Sequence, residues 1–198
     1  GRAAVDTAIL HPWDAALSNT LVDRRANLEI DDEVKRAHAA LLRSQIEADV
    51  LSDTAFDDVR LQGGRFVGKA VSYRRIVVPG VEILAPETLA TLGRFVREGG
   101  TLVWLHRVPR TAPDGSALDE AWREHFEAAP ERAAIDALEK RRLGEGTMWF
   151  VPDAARAITT SKPPTVGETL DLFDDTDSMV AFDPRYPVNV LDVVRQFP

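Results

Sequence analysis

Apolar and polar positions alternate along this chain in blocks that change period. Arg74 to Leu105 shows it best. Ile76, Val77 and Val78 form an apolar run without polar alternation, the pattern of a strand covered on both faces. Pro79-Gly80 stops it, since proline brings no ladder donor. Pro86 and Glu87 then suit the first turn of a helix. Leu89, Leu92, Phe95 and Val96 recur at helical spacing on one face, and Gly99-Gly100 ends that helix. Thr101–Leu105 is a second buried strand. Two such strands joined by a helix make a βαβ unit.

The rest of the chain extends this alternation. Val5–Leu10 reads as the first strand, followed by His11, Pro12, Trp13 and Asp14. Residues 15–31 read as polar and irregular, with Asn19, Asp23 and Asn27 as turn formers. Asp31 or Asp32 is expected to cap a helix running to about Glu47, with Glu33 in its first turn and Val34, Ala37, Leu41, Leu42 and Ile46 inward. Ala48–Ser52 is a short strand ending at Asp53, and Thr54–Asp58 fits one helical turn. Gly63-Gly64 between Leu61 and Phe66 signals a hairpin. After Leu105 come a helix holding Trp122 and Phe126, a break at Pro130, and a helix over about Glu131–Leu143 with Ile135 and Leu138 inward. Arg141 and Arg142 would then face that helix's negative end. Thr147–Val151 closes the pattern as a strand. In the remainder, Val166–Phe173 reads as a helix and Val188–Val194 as helix or strand.

This order argues for a three-layer α/β/α domain with a mostly parallel sheet and a small antiparallel ribbon. The expected division is 1–153 for that domain and 154–198 for a C-terminal extension packing on it. Both ends of the 198 residues look cut from a longer protein.

Composition narrows the functions. The net charge of −8 opposes nucleic-acid binding, and no apolar run approaches the ~20 residues of a membrane helix. The absence of Cys removes disulfides, thiolate metal sites and cysteine nucleophiles. It does not fix a compartment, so localisation stays unknown.

In a parallel sheet, ligands sit beyond the carboxyl ends of the strands. Those ends carry His11, Trp13, Asp14, Asp53, Gly80, Glu82, His106, Arg107 and Asp153. His106 with Asp53 or Asp14 has the chemistry of a base and its orienter, but no Ser or Thr is placed as a nucleophile. His11, Asp14 and His106 lack the local spacing of a metal site, and the Asp171–Asp177 cluster lacks the EF-hand pattern. No metal or cofactor is expected. Trp13 suits stacking on a sugar or a neighbouring domain as well as a local core role, whereas Trp104 and Trp149 read as core. Gly63-Gly64 and Gly99-Gly100 lack phosphate-loop spacing.

The stretches ILHPW, IEADVLSDTAF and YRRIVVPGVEILAPETLATLGRFVREGGTLVWL resemble the class I glutamine-amidotransferase-like domain of large bacterial glycoside hydrolases. Alpha-L-rhamnosidase-like enzymes come first, then beta-galactosidases with a similar trimerisation domain. The resemblance covers about residues 5–107, and GEGTMWFVPD continues it. It implies a flavodoxin-like sheet beside a catalytic barrel supplied elsewhere. Amidotransferases carry a nucleophilic Cys just after the strand matched by Thr101–Leu105; here the chain reads Leu105-His106-Arg107-Val108. The resemblance therefore implies a non-catalytic accessory domain of a glycoside hydrolase. Its partners would be the parent's other domains, with self-association and carbohydrate contact open. His11, Trp13, Gly80, Glu82, His106 and Arg107 would form the interdomain or carbohydrate-facing rim. The alternative is a stand-alone small-molecule binding or sensor domain of flavodoxin-like fold, and a hydrolase using His106 comes third.

Overall fold

A computed structural model describes residues 5–13, 24–43 and 46–152, with the side chains of 24–29, Arg43 and Asp57 left aside. Strands β1 (Thr7–His11), β2 (Asp49–Ser52), β6 (Arg75–Val78), β7 (Thr101–Leu105), β8 (Glu139–Leu143) and β9 (Gly146–Val151) form one sheet. Its order is β2-β1-β6-β7-β9-β8. All neighbours run parallel except β8, which pairs antiparallel with β9. Three two-residue strands, β3 (Arg60–Leu61), β4 (Phe66–Val67) and β5 (Ser72–Tyr73), form a separate antiparallel sheet. The expected ribbon is this sheet, and the fold class is α/β as the sequence pattern indicates.

Successive residues of each parallel strand point to opposite faces, and the core divides accordingly. Ala8, Leu10, Ile76, Val78, Leu102, Trp104, Met148 and Phe150 pack with the apolar faces of α2 (Pro86–Arg97) and α3 (Asp119–Phe126). The alternate positions Ile9, Val77, Val103 and Val151 pack with Val34, Ala37 and Leu41 of α1 (Arg24–Arg43). Helices thus cover both faces. Trp104 and Trp122 are fully buried with ring centroids 5.1 Å apart, and Trp122 Nε1 donates to Pro109 O at 2.8 Å. Phe56, Phe66 and Phe95 stack in series and tie the small sheet to α2.

The amino-terminal edge of the large sheet is closed by backbone contacts around the end of α2. Gly64, at φ +67°, lies where a Cβ would come within 2.4 Å of Gly100 N. At Gly146 the same atom would fall 2.0 Å from Val96 O. Glu145 N donates to Arg97 O, a carbonyl that the helix end leaves open, and Thr147 N donates to Gly100 O just ahead of the β7/β9 pairing. Arg75 grips the Asp6 carboxylate at 2.7 and 2.8 Å. Tyr73 donates to Asp49 Oδ2 at 2.8 Å. Burial, then this carboxylate, pushes the Tyr73 hydroxyl up to about 12.

Several expectations are corrected. The helix over Glu131–Leu143 is absent: 139–143 is the edge strand β8, joined to β9 by a turn in which Gly144 has φ +59°. β9 offers an open ladder edge, and pairing with it overrides the local helix preference of Ala, Leu, Glu and Lys, since propensity gives way to tertiary context. Upstream, Val108 N bonds Ala133 O and Ile135 N bonds His106 O, so this segment follows the β7 turn. Ile135 is half-buried against the core as expected, but Leu138 is exposed. Arg141 faces no helix end; it pairs with Glu139 and holds that carboxyl below its usual range. Lys140 Nζ sits 4.8 Å over the Trp149 ring. Trp149 is half-buried, while Trp104 is core as read.

At the other end of the chain, α1 starts at Arg24 rather than at Asp31 or Asp32 and ends at Arg43. Asn27 is therefore helical rather than a turn residue, Leu42 is exposed and Ile46 follows the helix. The readings for Asp14, Asn19, Asp23, Asp153 and 154–198, including the Asp171–Asp177 cluster, lie outside the described residues. Among the described residues no helix is long and apolar enough to cross a membrane.

Candidate functional site

The carboxyl-terminal edge of the sheet gathers the polar residues. At the end of β1, Pro12 stops the ladder because it has no N–H. Trp13 follows, 48% exposed. Its backbone N–H donates to Asp53 Oδ1 at 2.9 Å, and Thr54 N donates to the same oxygen at 3.0 Å. Asp53 is only 6% exposed, so this carboxylate locks the ends of β1 and β2 together. Ser52 caps the 3₁₀ turn Asp53–Asp58 and shares a 2.7 Å hydrogen bond with the Thr54 hydroxyl.

α1 lies over this edge and supplies two carboxylates. Asp31 Oδ1 is 3.2 Å from His11 Nε2. Glu33 Oε2 is 3.4 Å from His106 Nδ1, while its other oxygen is 2.9 Å from Arg36. His11 also lies 5.5 Å from the Trp13 ring, tilted by 46°.

The end of β7 carries the unusual backbone. His106 has φ +63°, and Arg107 N donates to Leu105 O at 2.6 Å across it. A bond from residue i+2 back to residue i around a positive-φ centre is the strained kind of γ-turn, costing on the order of 1–3 kcal/mol. Two further bonds hold it: His106 N donates to Val151 O and His106 O accepts from Ile135 N. Gly80, after β6, has no Cβ; one there would lie 3.1 Å from Leu105 O and 3.3 Å from His106 Cβ. The missing methyl lets the turn close in on β6. Arg107 pairs with Glu82, both partly in solvent.

Of the residues singled out from sequence, His11 and Trp13 sit together, as do Gly80 with the His106 turn and Glu82 with Arg107. The combination of His106 with Asp53 is not formed: Asp53 binds the Trp13 amide, and Glu33 takes His106. Asp31 and Glu33 are what the sequence reading missed as site residues. Sequence pattern puts Asp31 or Asp32 at a helix start with Glu33 in its first turn, whereas α1 extends back to Arg24 and carries Asp31 and Glu33 mid-helix. Among the described residues no group of three or more His, Asp or Glu gathers as a metal site would require.

No protein-family model matches the chain, and no curated protein does. Solved structures do. The fold is one contained within GH42 beta-galactosidases. A catalytic mutant of Gan42B, a GH42 beta-galactosidase from G. stearothermophilus, superposes with TM-score 0.56 at 15% identity, over 88% of this chain and 30% of that one. The beta-galactosidase of Bacillus circulans sp. alkalophilus gives 0.52 at 13% identity, over 81% and 32%. That of Rahnella sp. R3 gives 0.51 at 15% identity, over 76% and 29%. This chain therefore spans about a third of the length of these structures.

Proposed function

We propose that this chain is a non-catalytic, amidotransferase-like accessory domain of a larger glycoside hydrolase, packing beside the catalytic barrel or joining copies of the enzyme. The observation that carries this reading is the end of β7. In the amidotransferases that the chain resembles, this position presents a nucleophilic Cys. Here it holds His106, whose Nδ1 faces Glu33, in a chain without any Cys. A thiolate route to acyl transfer is thereby removed. The fold shared with part of GH42 beta-galactosidases supports the parent class. The remaining two thirds of such chains are long enough for a barrel of about 250 residues or more.

The deciding experiment reads the native open reading frame around these residues. A barrel-coding segment upstream is the expected result. A frame ending near residue 198 would overturn the reading and bring forward the second one, a stand-alone small-molecule binding or sensor domain. The non-catalytic half is checked with the 198-residue chain and aryl galactosides. Turnover above that of a heat-denatured sample would sink it.

A further inference from the structure

We infer that the crevice between the carboxyl ends of β1 and β6 is a saccharide site, with Trp13 as its stacking platform. The position comes from topology. In the order β2-β1-β6-β7-β9-β8, the chain passes from β1 to β2 on one side and reaches β6 on the other. The helices after β1 and β6 pack on opposite faces of the sheet, the arrangement that in open α/β sheets places a ligand crevice between two strand ends. Trp13 follows β1, and Gly80 follows β6.

The chemistry comes from the side chains. Trp13 presents 48% of its surface, and its backbone is held by the buried Asp53 carboxylate, so the indole is exposed on a fixed base. Asp31 holds His11, whose ring lies 5.5 Å from Trp13, and Glu33 holds His106 and Arg36; a carboxylate has about four acceptor positions, more than these contacts use. Among the described side chains, four carboxylates (Asp31, Glu33, Asp53 and Glu82) outnumber the two guanidinium groups, Arg36 and Arg107, that pair with them. Arg36 and Arg107 are already paired, with Glu33 and Glu82. Such a rim disfavours phosphate or carboxylate ligands. It suits an uncharged ligand rich in hydroxyl donors with one apolar face to lay on an indole. Pyranose sugars combine both properties.

The site is tested by titrating the 198-residue chain with galactose, lactose and cellobiose and following saturation-transfer NMR. Saturable binding of at least one sugar is expected. Trp13→Ala should weaken it about tenfold, Trp13→Phe should restore part of it, and Asp31→Asn should weaken it with the melting curve unchanged. Absence of saturable binding for all three sugars would overturn the inference, as would equal affinity in Trp13→Ala. Shielding of Trp13 from acrylamide in the full-length parent, unaltered by sugar, would overturn it too and mark Trp13 as an interdomain contact. This inference rests on the crevice and not on the parent enzyme. A barrel-coding frame with no sugar binding removes the site alone, and sugar binding with a frame ending near residue 198 removes the accessory-domain reading alone.

Discussion

The two edges of the same sheet are built on opposite plans. At the amino edge, backbone meets backbone: Gly64 and Gly146 leave no room for a methyl group, and the Glu145 amide bonds the last carbonyl of α2. At the carboxyl edge, side chains meet across partly solvated gaps: His11 with Asp31, His106 with Glu33, Arg107 with Glu82. Ion pairs in such settings contribute about 0–1 kcal/mol each. The difference teaches where the stability lies. The closed edge fixes the fold, and the open edge is free to carry a strained turn and an exposed indole, because little of the folding energy depends on it.

Substitutions should separate the two edges. Gly146→Ala places a Cβ against Val96 O and is expected to cost about 4 kcal/mol or to prevent folding, read from urea denaturation. A loss under about 1 kcal/mol would mean that the closed edge has slack. Next comes Tyr73. Its folded value of about 12 stands above the ordinary 10.0, so the folded state holds the proton more tightly. That contribution is complete below pH 10 and is lost as pH rises from there through about 12. The loss should be on the order of 2 kcal/mol, and Tyr73→Phe should abolish this slope without altering stability curves measured at lower pH in shape.

At the open edge, effects should be small and one should be favourable. His106→Gly relieves the positive φ and forfeits the Glu33 pair, for a net gain of about 1 kcal/mol in chemical denaturation. A clear loss of stability would show that the imidazole contributes more than its backbone strain costs. Trp13→Ala should change the unfolding free energy by less than about 0.5 kcal/mol. A cost near that of truncating a fully buried tryptophan such as Trp122, about 3–5 kcal/mol, would place Trp13 with the core after all.

The sequence made the closed part of the molecule legible, because burial on both faces leaves period signals. The runs Ile76–Val78 and Thr101–Leu105, the Pro86 start of α2, and the Gly63-Gly64 hairpin all match observed elements. It misled at 131–143, where Glu, Ala, Leu, Lys and Arg favour helix locally while the open side of β9 selects a strand. Pairing across the sheet is non-local, and no window of a few residues contains it. The rim was legible by position, since topology sends strand ends there, but not by partnership. The spacing between His106 and Glu33, or between His11 and Asp31, carries no period. Only the packing of α1 over the edge brings them together.

The composition of β8 also bears on how the protein behaves at high concentration. A terminal strand with unpaired amides and carbonyls is a template on which another chain can add its own strand, the first step toward ordered aggregates. Here that strand carries Lys140, Arg141 and Arg142 in a row, all exposed. A second copy approaching in register would bring like charges face to face and have to strip water from each. The opposite border, β2, has only four residues, which limits the ladder it can offer. Among the described residues, charge at one border and brevity at the other thus oppose growth of the sheet past its own chain.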